Sequence, residues 1–230
     1  MSKAIDYFSY DNPLLKVKTF FSCRARRKMY QRFEEFMHPT QNDEVLDLGV
    51  TPDVTLEDSN FFEKYYPYKN KLTIASVEDC DFLKETYGLK EFVRNQSKEA
   101  LPFKDKQFDI LFCSAVLEHV GSRADQKFFL QECMRVADRI YLTTPNRYFP
   151  VEMHTFLLFL HWLPWRWFQK IVRKFVRGGA FWADTNNLNL LCKKDIEKMF
   201  TDKCLSVSFI KTFGWNSNLV IVKAEGMKRK

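Results

Sequence analysis

The sequence predicts a single α/β domain built on a mostly parallel sheet with helices on both faces. Two observations carry this. Between residues 44 and 144, short apolar runs ending in acidic or polar residues alternate with amphipathic segments across short links. Two more apolar runs close the chain, separated by a long turn and not by a helix, which suits an antiparallel pair finishing the sheet. With 230 residues the chain is long enough to bury a full core.

The elements follow in order. EVLDLGV, from Glu44, is a short apolar run entering a loop, as a buried parallel strand would. LTIASV (72–77) is a second strand and ends at Glu78 and Asp79. A helical piece spans Cys80 to Tyr87, and a strand lies near Glu91 to Arg94. LPFKDKQFDILFCSAV places a polar turn before the strand Phe108 to Ser114. DQKFFLQECMRVA (125–137) spaces Phe128, Phe129, Cys133, Met134 and Val136 as an amphipathic helix. RIYLTT (139–144) is a strand that stops at Pro145. After Pro150 the alternation lapses into an aromatic, basic stretch, HTFLLFLHWLPWRWFQKIVRKFVRGG, which closes on Gly178 and Gly179. KKDIEKMF (193–200) reads as a helix, and CLSVSFI (204–210) and NLVIVKA (218–224) as the last strands. The expected organisation is a helical cover over 1–41, a sheet core over 42–150, a helical cap insertion over 151–192 and a closing helix with two strands over 193–230.

Composition excludes several classes. At 46% hydrophobic and 28% charged, with seven Gly and eight Pro, the chain is neither disordered nor of low complexity. Its six Cys form no CxxC pair and no leader-like N-terminus precedes them, so free thiols in a reducing cytosol and no metal site are expected. The stretch Thr155 to Phe168 is broken by His161, Pro164 and Arg166, short of the roughly 18 to 20 apolar residues that span a bilayer. The net charge of +7 is local. Residues 16–32 carry seven basic side chains and no acid, residues 161–177 carry five and no acid, and the remainder holds 24 basic against 29 acidic groups. Two such stripes point to an anionic surface as partner, with a solvated helix face as the plainer alternative.

Ligands of open parallel sheets bind at the carboxyl ends of the strands, where the strand order reverses. The polar residues gather at those ends: Asp47 to Asp53, Glu78 and Asp79, Gln96 and Ser97, Ser114 to His119, and Thr144 to Arg147. VLDLG followed by an acidic second-strand end, then EALPFKDKQFDILFCSAVLEHV, resembles the class I S-adenosylmethionine-dependent methyltransferases over residues 42–147. LTTPNRYFPVEMHTFLLFLHWLP (142–164) is similar to bacterial members associated with surface-glycan or lipid-linked pathways. The resemblance implies a Rossmann-like seven-stranded methyltransferase sheet, mostly parallel with an antiparallel C-terminal strand, and S-adenosylmethionine as cofactor. It makes Asp47 and Gly49 the floor under the methionine part of the cofactor. Glu78, or Asp79 beside it, would hold the ribose, Gln96 or Ser97 would face the adenine edge, and Ser114 and Ala115 would line the sulfonium. The sequence departs from the family at the glycine-rich turn, written here DLGVTPD, where Thr51 is a further cofactor contact; either Asp53 compensates by pairing with the cofactor's amino group or the loop is remodelled and binds weakly. A dinucleotide dehydrogenase is the competitor on this fold, but GxGxxG is absent after the first strand.

Methyl transfer to an alcohol needs a held nucleophile and a base. His154, with Glu152 two residues before it, ranks first as base or substrate anchor, and His119, after the fourth strand, ranks second. Asn146 and Arg147 are candidates to grip a sugar hydroxyl or phosphate, or to cap the next turn. His161 is placed with them as a substrate contact, with a structural imidazole as its alternative. In the insertion, Trp165, Phe168, Val172 and Phe175 share a helical face, and Arg166, Lys170, Arg173 and Arg177 recur opposite. That division suits a helix lying in a membrane interface; the alternative is a lid whose apolar face packs on the sheet. The basic segment 16–32, with Phe20, Phe21, Met29 and Phe33, would add to the interface. The expected function is O-methylation of a glycan or lipid-linked intermediate at the cytoplasmic membrane face. A non-catalytic membrane-associated scaffold of the same fold is the alternative. Nucleic acid, as in an RNA methyltransferase, is the less favoured anionic partner, because the acidic remainder and the run FLLFL suit lipid better.

Overall fold

The computed structural model describes residues 13–200 and 205–224, and for residues 13–18, 20 and 21 the backbone alone. Its centre is a seven-stranded sheet: β1 (Val45–Leu48), β2 (Leu72–Ser76), β3 (Glu91–Arg94), β4 (Phe108–Ser114), β5 (Ala137–Pro145), β6 (Ser206–Thr212) and β7 (Trp215–Lys223). The order is β3-β2-β1-β4-β5-β7-β6, and β7 runs antiparallel to both its neighbours. The chain steps outward from β1 to β3, then crosses back to β4, so the strand order reverses between β1 and β4. This is the arrangement the sequence predicts. Cys204, where the sixth strand was expected to begin, lies outside the described residues.

The two-residue period of the strands sorts the core onto two faces. Val45, Ile74, Ile110, Phe112, Tyr141 and Val220 pack under α1 (Pro13–Met37) and α2 (Phe61–Tyr65). Leu46, Leu48, Leu111, Cys113, Ile140, Leu142 and Leu219 face α4 (Arg123–Val136) and α7 (Lys193–Met199). A short α3 (Leu83–Tyr87) links β2 to β3. Ser122 and Asp125 form a reciprocal cap that starts α4 directly after the β4 loop.

The basic N-terminal helix is pinned to the sheet. Met29 and Phe33 are buried in the core, so they add nothing to a membrane face, correcting that expectation. The Arg26 guanidinium lies 5.0 Å from the Phe61 ring centroid and pairs with Asp58 at 3.4 Å. The side chains of Lys16, Lys18, Phe20 and Phe21, which the interface reading also used, lie outside the described residues.

The cap inserted between β5 and β6 contains α5 (Trp165–Phe175) and α6 (Gly179–Trp182). Phe168 and Val172 are buried with Ala183, and Trp165 packs against them while its Nε1 donates to Thr185 Oγ1 at 3.3 Å. The apolar face of α5 therefore turns into the cap, and Trp165 and Phe168 are not membrane contacts as expected. The physical reason is that the cap closes its own small core with that face. Outward stand Trp167 and Phe175, at 61% and 71% exposure, among the exposed Arg166, Lys170, Arg173 and Arg177. Among the described residues no helix is long and apolar enough to cross a membrane.

Candidate active site

A cavity of about 390 Å³ opens at the carboxyl ends of β1 to β4, the place where the strand order reverses. Gly49, Thr51, Glu78, Gln96, Ser97, Ala115 and His119, all expected site residues, line it. Gly49 has φ +101°, and its N–H donates to the Ala75 carbonyl at 2.8 Å, which ties the first loop to the end of β2. A Cβ there would meet Val116 Cγ2 at 2.1 Å.

The glycine-poor loop is held by a clasp the sequence does not advertise. Asn60 Nδ2 donates to the Thr51 and Asp53 carbonyls at 2.8 and 3.2 Å, and its Oδ1 accepts from Thr51 N–H at 3.2 Å. Asp53 accepts from Thr55 N–H and Ser59 Oγ, both at 2.8 Å. These bonds, with that from the Thr55 hydroxyl, hold its carboxyl below the usual range against the opposing effect of burial. Asp53 is thus a brace of the loop and does not line the cavity, which corrects its expected role as a compensating cofactor contact.

Three more expected contacts lie elsewhere, each for a reason of register. Asp47 alternates with Leu46 and Leu48, so it points to the α2 side, buried against Glu63. Burial and the neighbouring carboxyl push Asp47 well up, and burial pushes Glu63 up to about 7. Ser114 shares the face of Phe112; it accepts from Thr143 Oγ1 at 3.0 Å and lies 3.9 Å from the Met29 sulfur. Asp79 starts the next turn by accepting from Asp81 N–H at 3.2 Å. The structure adds Asn95 to the cavity, one residue before the expected Gln96. Its N–H donates to the Ser76 carbonyl, and its buried Oδ1 has no partner among the described residues. Asn95 and Gln96 both line the cavity, and nothing in the sequence marks Asn95 as the one whose amide oxygen is buried.

At the cavity rim the fold assembles the expected catalytic residues. The turn Leu117–His119 follows β4 and is clamped by Gln126, whose Nε2 donates to the Leu117 carbonyl at 3.0 Å. His119 Nδ1 lies 2.6 Å from the Asn187 carbonyl, an acceptor only, so this nitrogen carries the proton. Its ring packs edge-on against His154 with centroids 4.9 Å apart, and Trp182 covers His154 at the same separation. His154 Nδ1 is 2.7 Å from Glu152 Oε1. Glu152 is buried and also accepts from Thr155 N–H and Thr155 Oγ1. Against the opposing effect of burial, His154 and Thr155 hold its carboxyl down to about 2. The sequence reading missed Glu118, which is fully buried between Thr144 Oγ1, at 2.8 Å, and His119 Nε2, at 3.7 Å.

The expected substrate contacts divide. Asn146 is committed to the fold: its Nδ2 donates to the Asn216 carbonyl at 2.8 Å and its N–H to the Ser217 carbonyl. That corrects its expected grip on substrate. Arg147 and His161 line a second cavity of about 320 Å³ with Arg123 and Trp165. His161 is buried with Nε2 on the Phe149 carbonyl at 2.7 Å, and burial lowers its pKa.

Residues 72–139 match the family model described as "Methyltransferase domain". Among curated proteins, none matches the sequence significantly. Solved structures share the fold at low identity. A Pyrococcus horikoshii OT3 protein is 11% identical at a TM-score of 0.56, with 97% of each chain covered. The magnesium protoporphyrin IX methyltransferase of Synechocystis PCC 6803, solved with bound SAH, is 15% identical at a TM-score of 0.54, covering 94% of this chain and 90% of that one. YcgJ from Bacillus subtilis is 14% identical at a TM-score of 0.54, covering 87% and 100%. The family match runs from β2 to the start of β5, so this part of the sheet is similar to a methyltransferase domain, and the solved structures share the fold.

Proposed function

We propose that the chain methylates a hydroxyl oxygen of a glycan or lipid-linked intermediate at the cytoplasmic face of a membrane. The observation that carries this reading is the oriented imidazole pair at the cavity rim: His119 lines the cavity and faces His154, which Glu152 holds. An alcohol must lose its proton as its oxygen gains a methyl group, and an imidazole at that rim is suited to take it.

The cavity residues fit the cofactor. The orphaned Asn95 Oδ1 offers an acceptor to an adenine amino group, and Glu78 at the end of β2 offers a carboxylate to the ribose hydroxyls. Gly49 lets the backbone approach, and Ala115, with φ +58°, keeps the β4 loop free of bulk. S-adenosylmethionine supplies an electrophilic methyl on a sulfonium. The protein's part is to hold the acceptor oxygen in line and to take its proton on the His119 imidazole, beside Glu118.

Two further features support the acceptor class. Arg147 in the second cavity suits a phosphate or an acidic sugar, beside Arg123, which is itself held by Gln126, Leu190 and Asp195. Exposed Trp167 and Phe175, each beside a lysine of α5, suit a lipid interface, and the cap also exposes Phe156, Leu158 and Phe159. The test is incubation of the protein with methyl-labelled S-adenosylmethionine and detergent-solubilised lipid-linked glycans. Alkali-stable label in the glycan-lipid fraction is expected, as an ether requires. Label that alkali releases as methanol, or no label above a His119→Ala control, would overturn the reading.

A further inference from the structure

We infer that Glu118, His119 and His154 form a binding site for a divalent first-row transition ion at the acceptor side of the cavity. No such site is expected from the sequence, because the Cys residues show no ligand spacing. The three side chains each present a ligand atom, and these atoms lie within 4.8 Å of one another.

The strongest observation is the state of Glu118. It is fully buried, and its Oε2 accepts from Thr144 Oγ1 at 2.8 Å, yet its Oε1 has no hydrogen-bond partner among the described residues. Leaving a buried carboxylate oxygen unsatisfied is costly unless something else meets it. That oxygen faces His119 Nε2 at 3.7 Å.

The surroundings have the form of a metal site's outer shell. His119 Nδ1 is engaged by the Asn187 carbonyl and His154 Nδ1 by the Glu152 carboxylate. A carbonyl and a carboxylate behind two imidazoles fix ring orientation and strengthen the opposite nitrogen as a ligand, so coordination would use the Nε2 atoms. Thr144 orients the third ligand in the same way. An ion with bonds of about 2.0–2.1 Å draws its tetrahedral ligands to roughly 3.4 Å apart. The Glu118 and His119 atoms, 3.7 Å apart, are nearly there, and all three ligand atoms lie within 4.8 Å.

Two imidazoles and one carboxylate suit Zn²⁺, Mn²⁺ or Co²⁺ and leave coordination positions open. Because His119 also lines the cofactor cavity, an open position would take the acceptor hydroxyl and lower its pKa; with its Nε2 on the ion His119 would no longer be the base, and the hydroxyl's proton would pass to water. That role rests on the proposed acceptor side, whereas the binding site does not.

The test reads metal binding without turnover. Chelator-stripped, tag-free protein is titrated with Co²⁺ and followed by its visible absorption, then with Zn²⁺ by competition. One equivalent is expected to bind, with affinity reduced by about tenfold or more in Glu118→Gln and in His154→Ala. Thermal unfolding and S-adenosylmethionine titration of both variants confirm that each still folds and keeps its cofactor cavity. No binding by the wild type, or equal binding by both folded variants, would overturn the site. Metal binding without transfer to any hydroxyl acceptor would leave the site standing and remove the proposed substrate class. Metal-free protein that methylates alcohols at the full rate would remove the role in activation alone.

Discussion

Replacing Asp47 and Glu63 together by Asn and Gln tests the electrostatics beneath the first loop. The two carboxyls are buried against each other between β1 and α2, and Glu63 Oε1 has no partner among the described residues. Burial raises both, Glu63 from 4.5 to about 7 and Asp47 well above 3.8. The folded protein therefore keeps protons that the unfolded chain releases, and stability falls as pH rises through this window. It is fully present below the unfolded values near 4 and is lost as pH passes the raised folded ones. For Glu63 alone the shift corresponds to about 3 kcal/mol. The double variant keeps the shape and has nothing to ionise. Urea unfolding of both proteins at intervals from pH 4.5 to 8 is the assay, since groups common to both cancel in the difference. The wild type is expected to lose at least about 3 kcal/mol relative to the variant across that range, since Asp47 adds to the Glu63 share, or roughly 6 °C or more in Tm. Difference curves that stay parallel within about 0.5 kcal/mol would refute the argument and show that the pair is ionised and solvated in the folded protein.

Three other outcomes are expected. Asn95→Leu removes the orphaned acceptor and should weaken S-adenosylmethionine about 3- to 10-fold in calorimetric titration, with the demethylated product affected equally; unchanged affinity would take Asn95 out of the cofactor site. Gly49→Val should cost about 1–3 kcal/mol for its positive φ, and more for the overlap with Val116, so cofactor binding should be lost. Adding Val116→Ala should restore part of the stability, and no restoration would mean the overlap is not the cause. Trp167→Ser with Phe175→Ser should reduce co-sedimentation with anionic vesicles, since these rings stand outward beside Lys170 and Lys174 at 5.3 Å each. Equal recovery in the pellet would refute the interfacial role of α5.

Strand and helix positions were legible because they rest on local periodicity. The runs at 72–77, 91–94 and 108–114 became β2, β3 and β4 with little change of bounds. The acidic end of β2 and the lone Gly49 located the cavity, since both follow from strand topology. The division of labour within each strand-end pair was not legible. Asp47 went inward to Glu63 and Ser114 turned to Met29, because a side chain's face depends on strand register against α1 and α2. Asn95 joins Gln96 and Ser97 in the cavity lining, its buried oxygen set by the same register.

The amphipathic pattern of α5 showed that one face would be covered; the covering surface is the cap's own core at Phe168, Val172 and Ala183. Glu118, His119 and His154 met in the same way. They lie on two loops at neighbouring strand ends, after β4 and β5, and their spacing in the chain carries no periodic signal. Hydrophobic periodicity thus settled the sheet and the place where its strand order reverses, because a backbone's repeat is a property of neighbouring residues. Side-chain partners across the sheet were decided by packing between distant segments, for which one chain's linear pattern holds no record.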